Sequence, residues 1–439
     1  MLSCNHCGKR PVEVGATCTD CGSASAPPFV ARPSAQHRPA TAADSPPESA
    51  ASSSAECSTG YLHNGQRRTL FLAGLGILTA LLLLLNGLLV VLTVPDPVGL
   101  LLSVLGALVP AAFYTALVLS VDSYEHEPWM TVTAAFGWGA LVAVLFSGVF
   151  NAAQALLLGD AFAVFMGAPL VEESLKGIAL LGLLLMYRRE FDNVLDGLVY
   201  GALIGMGFEL TEDMLYLGSA YVEGGLTLFG EEWLTRPVLA GTAHALFTAT
   251  TGAAVGWGRA RHGRGVLRFV VPVLGWALAV LQHLAWNIGG SLLAASMGEG
   301  VPSVWRLALQ AALLLTPAFV TLYVISRVAR RREHRVICEQ LADEVETGVL
   351  TEDEYHLLTD ERGWQRTLRA ARRDGGRRRL RMQQQFFQAA AELAFRKHHL
   401  SQGEALKDGQ KCSEDYHRAQ LAAARSQLAA TPHPSSRQE

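Results

Sequence analysis

Charged residues are scarce in this sequence, and they are nearly absent from Leu70 to Val328. Only 17% of the 439 residues are Asp, Glu, Lys or Arg, and half are apolar. An ordinary soluble protein is about a quarter charged. Charge is dense from Arg330 onward, so the formal net charge of −3 averages two unlike regions and says little about partners. We therefore interpret the chain as a membrane block with water-soluble ends.

Cysteine is also scarce, and it is unevenly placed. Four of the seven cysteines fall within the first 21 residues, which argues against a disulfide framework. Cys4-x-x-Cys7 and Cys18-x-x-Cys21 are each followed by glycine and supply two thiolate pairs for tetrahedral Zn²⁺. We predict a small zinc-ribbon-like module at residues 1–22, in which these four cysteines hold a structural zinc ion.

A secretory signal and internal repeats are missing as well. The N-terminus is polar, and the first apolar run, near Leu70, is too long for the core of a signal peptide. The lack of a repeat argues against a transporter built from two related halves. Residues 23–65 are rich in Ser, Ala and Pro, which predicts a disordered linker.

Eight apolar segments are long enough to cross a hydrocarbon core of ~30 Å. They lie near residues 70–94, 98–120, 131–152, 162–186, 195–218, 237–258, 269–295 and 305–327. This pattern predicts an all-α polytopic membrane protein of about eight transmembrane helices. We place the membrane domain at residues 66–330 and a charged cytoplasmic helical tail at residues 331–439.

Basic residues predict the orientation of these spans. Arg67 and Arg68 precede the first span, and further basic clusters follow the fourth, sixth and eighth spans. With eight spans all four clusters share one side, so both termini are expected in the cytoplasm. The Arg-rich stretch 366–381 in the tail either meets anionic lipid or is a solvated helix face, and we favour the solvated face.

Ionisable side chains nevertheless occur inside the spans, where each costs at least ~2.5–3.5 kcal/mol and is a functional candidate by default. They are Glu172, Glu173 and Lys176 on the fourth span, Glu209, Glu212 and Asp213 on the fifth, His244 on the sixth, and His283 with Asn287 on the seventh. Counted along the helices, the glutamates and histidines lie in the outer half of the bilayer. A polar network that only pins helices together is the alternative, but the whole set favours one functional cavity.

Glycines recur beside this cavity. Gly197, Gly201 and Gly205 are spaced four residues apart on the fifth span. Such spacing lets two helix backbones approach closely, so it predicts tight helix packing rather than chemistry.

Three motifs within these spans resemble a known family. Glu172-Glu173-x-x-Lys176, Phe208-x-x-x-Glu212 and His283-x-x-x-Asn287 are similar to the signature motifs of the PrsW family of bacterial intramembrane proteases, which are related to CAAX prenyl endopeptidases. The stretches Tyr124–Trp129, Asp196–Gly201 and His244–Phe247 are also similar. The resemblance covers about Asp122 to Gly290, and Glu209 departs from it as an additional acid.

The resemblance implies an intramembrane endopeptidase of the bacterial cell membrane that hydrolyses peptide bonds of membrane-anchored proteins. It implies a catalytic set of Glu172, Glu173, Glu212, His244, His283 and Asn287. The expected partners are a membrane-anchored substrate and the lipid bilayer, with no nucleic acid. A non-catalytic scaffold or receptor that binds partners through its zinc ribbon and tail is the alternative, and the presence of both paired glutamates argues against it.

Two chemical arrangements of this set remain open. His244, His283 and a glutamate could bind a catalytic Zn²⁺, which lowers the pKa of bound water while the second glutamate acts as base. Without a metal, a buried glutamate would take the proton and the histidines would stabilise the oxyanion. We favour the metal-free arrangement, because no local His-x-x-x-His motif is present. Lys176 is expected to pair with Glu172, four residues away, which leaves Glu173 as the base.

Overall fold

The N-terminal unit contributes one short pair of strands to the described structure. A computed structural model of the chain describes residues 2–3, 11–12, 65–121, 127–187, 191–261, 265–298, 301–402 and 413–430. The chain divides into two units, Met1–Ser54 and Ala55–Glu439. In the first, β1 (Leu2–Ser3) pairs antiparallel with β2 (Pro11–Val12). The four cysteines of the predicted zinc module lie outside the described residues, as does the predicted linker up to residue 64.

The apolar part of the second unit is helical, and each predicted span coincides with one helix of the described residues. The helices are α1 (Gly65–Thr93), α2 (Pro97–Leu119), α3 (Trp129–Leu158), α4 (Ala168–Met186), α5 (Val194–Trp233), α6 (Ala243–Ala260), α7 (Leu267–Met297) and α8 (Ser303–Glu346). Wider π-helical turns lie inside α3 at Trp138–Ala143 and lead into α4 at Ala163–Gly167 and into α6 at Leu234–Ala240.

Five helical stretches of the described residues are long and apolar enough to cross a membrane. They are α2, α3, the 67-residue stretch from α5 through α6, α7 and α8. At 1.5 Å per residue the 67-residue stretch is long enough for two crossings. Helix α4 carries three ionisable residues and is not among the five. The chain is therefore an integral membrane protein, while the count of eight spans stays a prediction.

Helix α5 lies at the centre of the membrane block. In the most apolar 18-residue segment of the stretch containing it, 89% of the residues are buried, whereas the corresponding segments of α2, α3 and α7 each have 17% buried. It contacts α2, α3, α4, α6 and α8. The outer helices expose large apolar side chains, such as Leu101 on α2 and Val149 on α3, as expected for a surface that faces lipid. Residues 195–209 of α5 are thus buried by protein, whereas Tyr216 and Leu226 further along the helix are exposed.

Glycines allow this burial by bringing helix backbones together. A Cβ atom on Gly197, Gly201 or Gly205 would lie 2.1, 2.5 and 2.3 Å from backbone oxygens of α6. On another face, Gly207 would clash in the same way with the Phe136 oxygen of α3. The predicted close packing at Gly197, Gly201 and Gly205 is confirmed. As a consequence, the register between α5 and α6 is set by backbone contact rather than by adaptable side chains.

The chain doubles back within α5 at Gly225, whose φ angle is +63°. The guanidinium of Arg236 lies 3.5 Å from the ring centre of Tyr216. On one straight helix these positions would be about 30 Å apart. Residues 226–233, the last turns of α5, therefore run back alongside the residues that precede Gly225. The helix is interrupted again at Gly241 and Thr242, and α6 begins at Ala243. The N-terminus of α6 thus lies beside the middle of α5.

The tail is a helical bundle built on the end of α8. It contains α9 (Glu352–Thr359), α10 (Glu361–Ser401) and α11 (Glu414–Ala429), and its core includes Ile337 and Leu341 of α8. Helix α10 also doubles back, at Gly376, where φ is +63°. The rings of Trp364 and Phe387 are 4.2 Å apart, although a straight helix would separate them by about 35 Å. Two antiparallel arms joined at Gly376 therefore form a hairpin.

Candidate active site

Four helices bring the predicted ionisable residues into one buried cluster. Its members are Glu172, Glu173 and Lys176 from α4, Glu209 and Glu212 from α5, His244 from α6 and His283 from α7. Glu173 is 1% exposed and Lys176 is fully buried. The convergence expected from the sequence is therefore present in the structure, and it is achieved across residues more than one hundred positions apart.

Glu173 is the most completely hydrogen-bonded carboxylate of the cluster. Its Oε1 atom lies 2.9 Å from Lys176 Nζ and 3.3 Å from His283 Nδ1. Its Oε2 atom accepts a hydrogen bond of 3.1 Å from the Thr248 hydroxyl. His244 Nδ1 is a further 4.0 Å contact. Three donors, one of them the Lys176 ammonium, thus surround a carboxylate whose ionised form can accept a proton.

Lys176 pairs with a different glutamate from the one expected. Its Nζ atom is 3.7 Å from Glu172 Oε2 but 2.9 Å from Glu173 Oε1, so the predicted Lys176–Glu172 pair is wrong as the principal contact. Residues three apart on a helix also face each other, and the α6 and α7 partners around Glu173 decide the choice. The ammonium also lies 3.8 Å from the ring centre of Phe208, a cation–π contact.

Glu172 has an open coordination position. Its Oε1 atom accepts a hydrogen bond from Asn151 Nδ2 at 3.2 Å. Its Oε2 atom is buried and has no hydrogen-bond partner among the described residues. The Lys176 ammonium lies 3.7 Å from it and His283 Nε2 3.9 Å. Neither neighbour is within hydrogen-bond distance, so this oxygen can still accept a ligand.

The neighbours of His244 indicate its tautomer. Nδ1 lies 2.8 Å from Lys176 Nζ, and Nε2 lies 2.9 Å from Glu212 Oε2. An ammonium has no acceptor, so Nδ1 accepts from Lys176 and the Nε2 proton is donated to Glu212. Glu212 thus orients the ring, as carboxylates do for histidines in many enzyme sites.

Glu209, the departure from the family pattern, stabilises the start of α6. It is 3% exposed, and its Oε2 atom accepts a hydrogen bond of 3.3 Å from the backbone N–H of His244. This N–H belongs to the first turn of α6, so it has no acceptor within the helix. A carboxylate at this end also interacts favourably with the helix dipole. Glu209 therefore helps to hold the backbone of His244 in place.

Arg236 is a site residue that the sequence interpretation did not include. It comes from the segment that returns after Gly225, and its Nη2 atom donates to Glu212 Oε2 at 3.2 Å. Its Nε atom is 3.8 Å from Asp213 Oδ1. The one available signal is that Arg236 is the single basic residue between the predicted fifth and sixth spans, where Glu223, Glu231 and Glu232 also lie. Asn151 and Thr248 were also missed, although Thr248 lies one helical turn after His244 and so shares its face.

Asn287 is not joined to the cluster. It follows His283 by one turn on α7, as its spacing predicts, but its amide donates to the Val164 backbone oxygen at 2.8 Å. That oxygen belongs to the π-helical turn before α4. Asn287 therefore links α7 to the start of α4, and the structure does not place it beside Glu173.

Two groups of side chains in the described residues have the composition of a metal site. In Glu172, His244 and His283, one ligand atom from each residue lies within 4.8 Å of the others, and the same holds for Glu209, Glu212 and His244. Two imidazoles and a carboxylate are a donor set that Zn²⁺ uses in catalytic sites. The Glu172 Oε2 atom, which accepts no hydrogen bond among the described residues, makes the first group fit a metal. In this group, the Lys176 ammonium and a bound metal ion would compete for the lone pair of His244 Nδ1.

Similarity to known proteins covers the same region as the cluster. A family model described as PrsW family intramembrane metalloprotease matches residues 127–323. Protease PrsW of Geobacillus kaustophilus (strain HTA426) is 32% identical over 133 residues, which are 30% of this chain and 55% of the relative. Protease PrsW of Clostridioides difficile (strain 630) is 26% identical over 151 residues, 33% of this chain and 61% of the relative.

A third relative is matched over more of its length. Protease PrsW of Bacillus subtilis (strain 168) is 30% identical over 160 residues, which are 35% of this chain and 69% of the relative. No solved structure is similar enough to count as a match. The chain thus spans between about half and about two thirds of the length of the curated relatives it matches. The shared region contains all the clustered glutamates and histidines, and this chain belongs to the PrsW family.

Proposed function

We propose that this chain is an intramembrane endopeptidase that hydrolyses peptide bonds of membrane-anchored proteins. The observation that carries the proposal is the Glu173 carboxylate, buried within a membrane block and hydrogen-bonded by Lys176, Thr248 and His283. A carboxylate kept ionised inside a bilayer is costly and has little value for packing alone. Membership of a family described as intramembrane metalloproteases supports the same activity.

Glu173 has the properties of a general base. Peptide hydrolysis requires a group that takes a proton from water as the water attacks the carbonyl carbon. Glu173 lies between the two histidines, so a proton received there is close to both rings. His283 Nδ1, 3.3 Å away, donates a hydrogen bond to the carboxylate and holds it in place. Glu212 holds the His244 ring in one orientation throughout.

Glu172, His244 and His283 are the residues that would hold a catalytic metal. A bound Zn²⁺ would act as a Lewis acid on the scissile carbonyl and lower the pKa of bound water. The family description favours this arrangement over the metal-free one that we favoured from the sequence. In either arrangement Glu173 remains the base, and Lys176 balances its charge. The scaffold alternative has no specific observation in its favour.

The fold supports a topology with eight spans, both termini in the cytoplasm and the catalytic cluster in the outer half of a bacterial cell membrane. The turn at Gly225 lies between the predicted fifth and sixth spans, in the segment expected on the outer side. Glu212 precedes Gly218, the last residue of the predicted fifth span, by six positions, about 9 Å along the helix. The catalytic cluster is then in the outer half of the hydrocarbon core. Water and an external segment of the substrate could approach it from the outer side.

The zinc ribbon remains a further proposal for Cys4, Cys7, Cys18 and Cys21. The strand pair β1–β2 flanks the first Cys-x-x-Cys pair, which suits a metal-binding turn between two strands. Metal analysis of the purified chain tests it. Cys7→Ser should remove one zinc ion per chain, whereas Cys57→Ser should not. An unchanged zinc content in Cys7→Ser would show that the module binds no zinc.

Substitution of Glu173 tests the protease activity. Fragments of membrane proteins should be compared by mass spectrometry in cells that carry the wild-type chain, Glu173→Gln, Glu173→Asp or no chain. Glu173→Gln should reduce cleavage by at least about 100-fold, the usual range for loss of a general base. Glu173→Asp keeps a carboxylate opposite Lys176 but shortens the side chain by one methylene group, so it should retain folding and part of the cleavage.

The matched control is the neighbouring Ser174→Ala, whose hydroxyl bonds only to its own helix at Leu170. It should retain wild-type cleavage. Equal fragment patterns for wild type and both Glu173 variants, with all chains inserted and folded, would overturn the protease proposal.

A further inference from the structure

The tip of the α10 hairpin carries a dense cluster of arginines. Eight lie between positions 366 and 381, and one carboxylate, Asp374, lies among them. They are Arg366, Arg369, Arg372, Arg373, Arg377, Arg378, Arg379 and Arg381. Seven of the eight are exposed, and the Arg373 side chain is 81% exposed. We call these eight residues the arginine tip.

The rest of the bundle uses its basic residues differently. Lys397 contacts Asp343 and Glu344, Arg418 contacts Glu344 and Glu414, and Arg425 contacts Glu354. These basic residues therefore balance acidic side chains of the bundle itself. At the arginine tip, Arg366 pairs with Asp360 and Arg373 pairs with Asp374. Residues 366–381 nevertheless carry eight arginines and one carboxylate of their own, which gives this segment a net charge of +7 (eight minus one). A surface of this kind attracts an anionic partner.

The doubling back at Gly376 concentrates this charge. On a straight helix residues 366–381 would extend over about 24 Å. The hairpin brings Arg372 and Arg373 on one arm beside Arg377 and Arg378 on the other. Guanidinium groups bind phosphate oxygens in a bidentate geometry, which a lysine cannot reproduce. The tip contains only arginine, so its chemistry is suited to phosphate groups.

The bundle is held near the membrane. Val328 is the last large apolar side chain that α8 exposes, and the bundle core begins at Ile337, about 14 Å further along the helix. At the other end of the hairpin, His399 Nε2 lies 3.3 Å from Asp192, just before α5 begins. The arm from Arg377 to His399 is about 33 Å long, so the tip lies within one helical arm of the membrane block.

From these observations we propose that the arginine tip binds the anionic phospholipid headgroups of the leaflet next to the tail. The partner is part of the bilayer in which the chain is anchored, so its effective concentration is high without a separate binding event. Basic clusters next to a membrane span are attracted to anionic lipid within a Debye length of its surface. The proposal does not depend on the protease activity.

Trypsin provides an intrinsic probe, because it cleaves after arginine. The purified full chain is reconstituted in phosphatidylcholine vesicles and in vesicles with added phosphatidylglycerol. Fragments are quantified for the chains whose tails face outward. Anionic lipid should slow cleavage after Arg379 and Arg381 by at least about tenfold. Raising the salt from 0.1 to 1 M shortens the Debye length from about 10 to about 3 Å, so it should abolish the protection.

Two variants of the same four positions separate charge from other effects. Replacing Arg372, Arg373, Arg377 and Arg378 by Gln should remove the difference between the two vesicles, while Arg379 and Arg381 still report cleavage. Replacing the same four by Lys keeps the charge and should keep most of the protection. The ratio between vesicles is compared within each variant, so a change in local stability does not affect it.

Three outcomes would overturn the proposal. Equal cleavage rates in the two vesicles would show that the tip does not meet lipid. Protection that persists in the Gln variant would place the lipid contact elsewhere in the tail. Protection by added RNA in phosphatidylcholine vesicles, with none from phosphatidylglycerol, would assign the tip to nucleic acid instead.

Discussion

The Lys176 ammonium contacts both the Glu173 carboxylate, at 2.9 Å, and the His244 ring, at 2.8 Å. One fully buried cation therefore influences the charge of the proposed base and the tautomer of a neighbouring histidine. Removal of such a cation would leave a buried carboxylate without its partner, which destabilises a protein far more than loss of the pair as a whole. Lys176 thus has a structural and a chemical role at once.

Arg236 is expected to position the Glu212 carboxylate against the His244 ring. Arg236→Gln should lower turnover by about 10- to 100-fold, the range for residues that orient a histidine through a second group. Arg236→Lys retains the charge and should retain most of the activity. Arg306→Gln, on the exposed start of α8, is the control. The measurement is the rate of substrate cleavage, separated into kcat and KM.

A loss confined to protein yield, with kcat unchanged in the folded Arg236→Gln chain, would assign Arg236 to folding alone. Rescue by Lys with an unchanged KM supports the positioning role.

The clustered residues differ in how far they could be predicted. Glu172, Glu173, Glu212, His244 and His283 were identified because an ionisable side chain within an apolar span is costly and therefore conspicuous. Arg236 was not, because the turn at Gly225 lies between it and Glu212, and helical spacing carries no information across a turn. Lys176 pairs with Glu173 in preference to Glu172 because of side chains from α6 and α7. The spacing of residues within α4 cannot reveal those side chains.

Helix α5 is the element on which the site depends, and its glycines test this. Gly201→Ala places a Cβ atom 2.5 Å from the Thr248 backbone oxygen, so the two helices must separate. Overpacking of this kind costs about 1–3 kcal/mol, and cleavage should fall because Thr248 contacts Glu173. Thermal unfolding of the purified chain and its turnover measure both effects.

Gly182→Ala on α4 is the matched control. A Cβ atom there would meet no atom within 4 Å, so stability should be unchanged or slightly improved. Equal stability of the two variants would mean that α5 and α6 can move apart without penalty.

Among the elements, the eight apolar segments were predicted correctly as helices, because apolar length is a strong signal. The chain between the fifth and sixth apolar segments was not predicted as helix. Glu223, Glu231 and Glu232 make it resemble an outer loop, whereas the structure has a helix as far as Trp233 that turns at Gly225. The break at Gly241 and Thr242 was also missed, because its flanks are apolar on both sides and hydropathy does not change there.

For the whole molecule, the predicted topology can be tested with reporter fusions. Fusions after Arg189 and after Arg264 should both report the cytoplasm, because basic loops are retained there. A fusion at Gly225 should report the outer side. A fusion after Ala429 should again report the cytoplasm and serves as the reference for the tail. An external signal after Arg264 would contradict the eight-span topology.

The organisation of the tail was only partly visible in the sequence. Its helical character follows from composition, and Thr351 with Glu354 three residues later has the spacing of a capping box, which the structure contains. The hairpin at Gly376 could not be inferred, because two glycines within an Arg-rich helix are compatible with a straight course. The buried pairing of Lys397 with Glu344 spans 53 positions, and local spacing holds no information about it.

The composition of α4 also bears on how the chain enters the membrane during synthesis. Three charged residues within one segment oppose its transfer to lipid by about 8–10 kcal/mol if they have no partners. Lys176 and Glu173 pair within α4 itself, but their further partners His244, Thr248 and His283 are translated later. The segment should therefore stay beside the insertion machinery until α6 and α7 emerge. The order of biogenesis would then follow the polar contacts rather than the order of the helices.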